Sequence, residues 1–209
     1  TINGTNDTPV VTVDTLGTVT EDAATPTLTD TGTLSFTDVD TTDTHSVSTG
    51  YNTDVSWSGG TLTAGQITAL TSGFSANASG WTYNVANADV QFLAAGETVT
   101  FSYDVTVTDS SGGSDTDTVT ITINGTNDAP VVTVDTAGSV TEDAASPTLT
   151  DTGTLSFTDV DTTDTHTVST AYNTDVSWSG GTLTAGQITA LTSGFSANAS
   201  GWTYNVANA

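Results

Sequence analysis

Oxygen-bearing side chains gather at a few points of this chain, in a pattern that suits a hard cation. Asp38, Asp40 and Asp43 stand in the run Asp-Val-Asp-Thr-Thr-Asp, which returns as Asp159, Asp161 and Asp164. Asn-Asp pairs occur at Asn6-Asp7 and Asn127-Asp128, Glu-Asp pairs at Glu21-Asp22 and Glu142-Asp143, and Asp109 and Asp115 flank a Ser/Gly turn. The chain carries 24 Asp and Glu with no Lys or Arg, a net charge of −24, so no carboxylate has a Lys or Arg partner within it. Two unit charges about 4 Å apart repel by about 1 kcal/mol in water and about 4 kcal/mol at an effective dielectric near 20. Clustered carboxylates therefore need an external counter-ion. Calcium, which takes about six to eight hard oxygen ligands, fits better than magnesium, which keeps its waters and a stricter octahedron. The plainer alternative is a solvated acidic surface, with Asp favoured at turns for its own backbone hydrogen bonds. That alternative suits the isolated acids Asp14, Asp30, Asp54, Asp89, Asp104 and Asp117.

Other chemistry finds little support. The acidic balance argues against nucleic acid, whose phosphates are bound by basic side chains, and against an anionic membrane surface. With no Cys there are neither disulfides nor thiolate metal sites. No apolar run approaches the roughly 20 residues that span a bilayer, so no membrane insertion is expected. His45 and His166 share the parity of Val47 and Val168 and read as packed or rim histidines. Ser and Thr follow strand alternation instead of a nucleophile elbow. Trp57, Trp81, Tyr51 and Tyr83 suit a sandwich core better than a sugar platform. No enzyme is expected.

The elements that must position these acids are strands. Val99, Phe101, Tyr103, Val105 and Val107 alternate with polar residues across Glu97 to Asp109, which is the period of a strand with one buried face. Val119, Ile121 and Ile123 continue the pattern after the Ser110 to Ser114 turn. Val11 and Val13, Val19, Leu34 and Phe36, Val47, and Val55 with Trp57 mark shorter strands, and Gly59-Gly60 turns the last back into Thr61-Leu62-Thr63. Ala64 to Leu70 and Asp89 to Leu93 interrupt the alternation as helical turns, Asn87 capping the second. Abundant Thr fits, since its branched side chain suits strands while its hydroxyl stays wet. The expected fold class is all-β: tandem immunoglobulin-like (cadherin-like) β-sandwich modules. An all-β solenoid is the alternative, but solenoids repeat over about 20 to 50 residues.

The period here is far longer. Thr1 to Ala88 aligns without a gap on Thr122 to Ala209 at an offset of 121. Six of the 88 pairs differ, none at a carboxylate, histidine or aromatic ring. Residues 1–121 are expected to form one complete repeat, and residues 122–209 a second copy that lacks its last two long strands. Near-identical modules add length or valency more readily than new chemistry.

The segment TITINGTNDAPVV, with VTEDA, GTLSFTDVDTTDTHSVS and the stretch from LAAGETVTFSYDVTVTD onward, resembles the VCBS-type repeats of giant bacterial surface proteins. Such repeats form extender regions of RTX adhesins and biofilm-associated proteins. The resemblance covers essentially residues 1–121 and the whole second copy. It implies secreted, extracellular, cell-surface modules exported by a type I system, with calcium at module junctions and a role in cell adhesion. Nonapeptide glycine-rich RTX repeats are absent, so an export signal and a binding tip would lie elsewhere.

Threading the strands through a sandwich leads to the same acids independently. The loop Thr37 to Asp43 should land beside Asn6 and Asp7, with Asp109 and Asp115 at that end. Glu21 and Asp22 should lie at the other end, near Asn127 and Asp128, and the second copy should bring Asp159, Asp161 and Asp164 there. Glu142 and Asp143 repeat the motif one copy later. The expected function is a calcium-rigidified extender whose partners are neighbouring repeats of its own chain. Two competitors are a glycan-binding module and a self-assembling filament or surface layer. In the latter the incomplete copy would self-associate by strand donation.

Overall fold

The computed structural model describes residues 1–21, 26–142 and 147–208. Asp22 and Asp143, both proposed as ligands from sequence, lie outside the described residues. The chain forms two compact units, one of residues 1–128 with 160–163, the other of residues 129–159 with 164–209.

In the first unit the alternating runs become β1 (Val10–Val13), β2 (Leu16–Thr20), β3 (Thr27–Thr37), β4 (His45–Tyr51) and β5 (Ser56–Trp57). Helix α1 (Ala64–Thr71), β6 (Phe74–Asn77) and β7 (Gly80–Ala86) follow, then a 3-10 turn at Asn87–Asp89, β8 (Thr98–Asp109) and β9 (Ser114–Asn124). One sheet runs β1-β3-β7-β6. The other runs β2-β9-β8-β4, with β5 also paired to β8. The inward residues of β8 and β9, Val99 to Val107 and Val119 to Ile123 on alternate positions, meet Val11, Val13, Leu34, Trp81, Tyr83 and Val85 in a single core. This is an all-β, sandwich-type fold; of the rings expected inside, Trp81 and Tyr83 are 2% and 0% exposed, whereas Tyr51 and Trp57 are only partly buried against the core. Their polar ends are satisfied. The Trp81 indole N–H donates to Asp14 O at 2.7 Å, and the Tyr83 hydroxyl donates to Leu70 O at 2.7 Å.

Local chemistry explains the interruptions. Thr63 caps α1 in a capping box, its hydroxyl accepting from Gln66 N while the Gln66 side chain accepts from Thr63 N. Thr63 therefore starts a helix, and the expected return strand at Thr61 to Thr63 is reduced to a Trp57–Gly60 bridge. Asn87 does not cap the second turn: Ala86 occupies the N-cap without a side-chain bond, and Asn87 is buried at the first position of the turn.

Three registers place the acids. Antiparallel pairing of Val10 with Thr37 sets residues 6–7 beside the loop that follows β3. His45 opposite Asp109 brings the β8–β9 turn to the same end. Parallel pairing of β2 with β9, from Leu16–Thr120 to Thr20–Asn124, carries Glu21 to the chain that leaves β9. Strand β9 runs through the expected boundary at residue 121, so the first unit closes after Asp128.

The second unit holds β10 (Val131–Val134), β11 (Thr148–Thr158), α2 (Ala185–Thr192), β12 (Phe195–Asn198) and β13 (Gly201–Ala207), in one sheet of order β10-β11-β13-β12. Its registers reproduce those of the first sheet of unit 1 pair by pair. More is missing than the last two strands. Residues 137–141 and 166–172, counterparts of β2 and β4, form no strand. In unit 1 those strands pair only with β9 and β8, so without such partners their backbone groups have no ladder to join. No helix among the described residues is long and apolar enough to cross a membrane.

Candidate metal centre

Among the described residues two groups of carboxylates converge, both within the first unit. In each, one oxygen per residue lies within 4.8 Å of the others: Glu21, Asp128 and Asp161 form one group, and Asp38, Asp43 and Asp109 the other.

The first group is built around a buried glutamate. Glu21 follows β2 directly, and its N–H donates to Asn124 O at 2.9 Å, extending the parallel ladder one residue. That pairing leaves its side chain 2% exposed. One carboxylate oxygen accepts from Thr126 Oγ1 at 3.3 Å, while Oε2 is buried and has no hydrogen-bond partner. Asp128 contributes a second buried oxygen without a partner, Oδ2. Its backbone N–H donates to Asp161 Oδ2 at 2.8 Å. Asp161 is also 2% exposed. Burial, and next the Asp128 charge, push the Glu21 carboxyl from its ordinary 4.5 up to about 7, against the lowering bonds from Thr126. A buried carboxylate that has one unpartnered oxygen and two more carboxylates beside it is costly as it stands. A divalent cation would relieve both the repulsion and the missing hydrogen bond, and an all-oxygen donor set fits calcium.

The segment that carries Asp161 is held by bonds the sequence did not reveal. Thr162 N and Oγ1 donate to Phe92 O at 3.4 and 3.3 Å, and Thr163 Oγ1 donates to Glu97 Oε1 at 2.7 Å. The other Glu97 oxygen accepts from the Trp57 indole N–H at 3.1 Å and from Ala94 N at 3.2 Å. Glu97 is thus a positioning residue. The only sequence signal for it was a lone acid at the start of the longest alternating run.

The second group is largely satisfied from within. Asp38 Oδ2 lies 2.8 Å from His45 Nε2, and its Oδ1 accepts from Asp40 N at 2.8 Å. His45, and then the Asp40 N–H, hold the Asp38 carboxyl below its ordinary value. Burial acts to raise Asp109, but bonds from Asn6 Nδ2 and the Gly113, Ser111 and Gly112 amides outweigh it and keep the carboxyl low. Only Asp43 Oδ2 is buried without a partner. Two of these three carboxylates are stabilised as anions by the fold, so an ion has less to offset. His45 is the rim histidine the strand parity implied, and its ring also packs 4.7 Å from Phe36.

The remaining candidates divide by position. The Asp7 N–H donates to Asp40 Oδ2 at 2.7 Å, the counterpart of the Asp128–Asp161 bond. Asn6 donates to Asp109 at 3.1 Å. Asp115 joins neither group: it accepts from Val11 N at 2.9 Å and from Thr116 N at 3.0 Å, tying β1 to β9. Asn127 is exposed and donates to Asp128 O at 2.7 Å. In the second unit Glu142 and Asp164 are exposed, and Asp159 is bonded to His166 at 2.7 Å. The three do not converge with one another: their counterparts Glu21, Asp38 and Asp43 belong to two different groups in the first unit. A scan against models of known protein families finds no match to this chain, and a search of curated proteins finds none either.

Proposed function

We propose that this chain is a calcium-binding structural segment, extender repeats of a large extracellular bacterial adhesin whose distal domains do the binding. The observation that carries the reading is Glu21: a 2% exposed carboxylate with a partnerless oxygen, converging with Asp128 and Asp161 in a chain that has no Lys or Arg. The three would hold the ion, which would cross-link the end of β2, the segment after β9 and the Val160–Thr163 segment. Stiffening the chain around Asp128 is a mechanical task, and it agrees with a repeat that multiplies one surface without adding new chemistry. The resemblance to VCBS-type repeats supports the extracellular setting and type I export. Burial of Trp81 and Tyr83 in the first core weighs against a glycan platform there.

Calorimetric titration of the 209-residue chain with calcium, and with magnesium as control, tests the proposal. Calcium-selective binding that is lost in Glu21→Gln supports it. No heat of binding, or equal binding of magnesium, overturns it.

A further inference from the structure

We infer that the second unit is an acceptor for a hairpin of the β8–β9 type, supplied from outside residues 1–209. Its sheet keeps the geometry of a sandwich half. The Tyr204 hydroxyl donates to Leu191 O at 2.7 Å, as Tyr83 does to Leu70, and Thr184 and Gln187 repeat the capping box of α1. Yet the face that the first unit buries is open. Leu70 is 0% exposed and its counterpart Leu191 is 38%. Val11 and Val13 are each 8% exposed, whereas Val132 and Val134 are 58% and 41%. Trp178 reaches 54% and Phe195 45%.

Two hollows on that face correspond to what β8 and β9 fill in the first unit. One, of about 530 Å³, is lined by Tyr172, Leu191, Thr192, Phe195 and Tyr204 among others. At the equivalent place Tyr103 stacks on Phe74 with ring centres 4.3 Å apart, and its hydroxyl donates to Thr71 O. The other, of about 370 Å³, borders Val134, Gly138 and Trp202. There the first unit seats Ile121 so tightly that a Cβ built on Gly17 would lie 2.5 Å from Ile121 Cδ1. The strands missing from the second unit are those that pair with β8 or β9. One absent hairpin accounts for the open face, both hollows and the lost strands together.

The occupant is therefore a hairpin with the chemistry of residues 89–124, two Thr-alternating strands with Val, Phe, Tyr and Ile on one face. A second copy of the chain is a poor source. Each chain has one such hairpin and two sheets that need it, so exchange between copies leaves as many faces open as before.

The test adds a synthetic polypeptide of residues 89–124 to the 209-residue chain. The expected result is uptake of one hairpin per chain, with Trp emission moving to the blue as Trp178 gains cover. Hydrogen-exchange protection should appear at residues 137–141 and 166–172. A Leu191→Asp chain, altered outside the first unit, and a hairpin carrying Tyr103→Asp should each weaken uptake by about a hundredfold or more. Because an isolated hairpin is only marginally stable, a second variant appends the same segment directly after residue 209, where the offset of 121 places its counterpart. It should gain the same protection. Absence of protection in both formats, uptake indifferent to the two substitutions, or closure of the Trp178 face by the chain's own self-association would each overturn the inference. Calcium plays no part in this readout, so its failure is separable from failure of the calcium proposal.

Discussion

Replacing Glu21 with Gln should reverse its effect on the first unit depending on whether calcium is present. The side chain keeps its size and loses its charge. Its carboxyl lies at about 7 in the folded unit against an ordinary 4.5. At 1.36 kcal/mol per pH unit, the ionised form at pH 8 costs about 3 kcal/mol relative to the unfolded chain. The sign follows: the folded value is raised, so the contribution is favourable below 4.5 and is lost as pH rises through about 7. In chelator at pH 8, Glu21→Gln should therefore raise the melting midpoint of the first unit, by about 10 °C for a unit of this size. The amide N–H groups also offer donors to Asp128 and Asp161. In calcium the order should invert. Saturation at about 1,000 times the dissociation constant adds about 4.1 kcal/mol to the parent, more than the roughly 3 kcal/mol it lacks in chelator, and the variant, short of a ligand charge, gains much less. Differential scanning calorimetry of both chains in chelator and in calcium reads this directly. A variant less stable than its parent in chelator, or equally stabilised by calcium, would refute the reasoning that Glu21 is a strained, metal-seeking carboxylate.

Other outcomes rest on separate observations. Thr63→Ala removes the capping box of α1 and should cost about 1 kcal/mol in denaturant titration. Gly17→Ala puts a methyl 2.5 Å from Ile121 and 2.7 Å from the Trp81 ring, so chemical denaturation should show a loss of about 1–3 kcal/mol. Asp104 is held below its ordinary 3.8 by bonds from Asn52 and then Thr118, so the stability it adds is present above 3.8 and lost as pH falls through its lower folded value. An NMR titration should find that Asn52→Ala moves Asp104 back toward its ordinary value. Glu97→Gln keeps the acceptor for Trp57 but weakens the bond from Thr163, and should raise hydrogen exchange at residues 160–163 while leaving β8 protected.

Much of the architecture was legible in the chain itself, because its signals are local. A strand buried on one face writes its period into consecutive residues, as in Val99 to Val107, and a capping box spans only Thr63 to Gln66. The constant offset of 121 exposed the repeat, and the runs of acids marked the ends of the strands. What those acids do was decided only by tertiary structure. Nothing near Glu21 in sequence says that it is buried; parallel pairing with β9, a hundred residues away, takes it out of water and leaves one oxygen without a partner. Nothing near Asp109 says that Asn6 and the turn amides satisfy it, or that Asp115 serves to hold Val11. A carboxylate's chemistry is set by the dielectric around it and the donors within reach, and in this fold both come from strands far apart in the chain. The open face of the second unit obeys the same logic: its residues match the first copy nearly one for one, and only the absence of a second sheet makes a buried surface an exposed one.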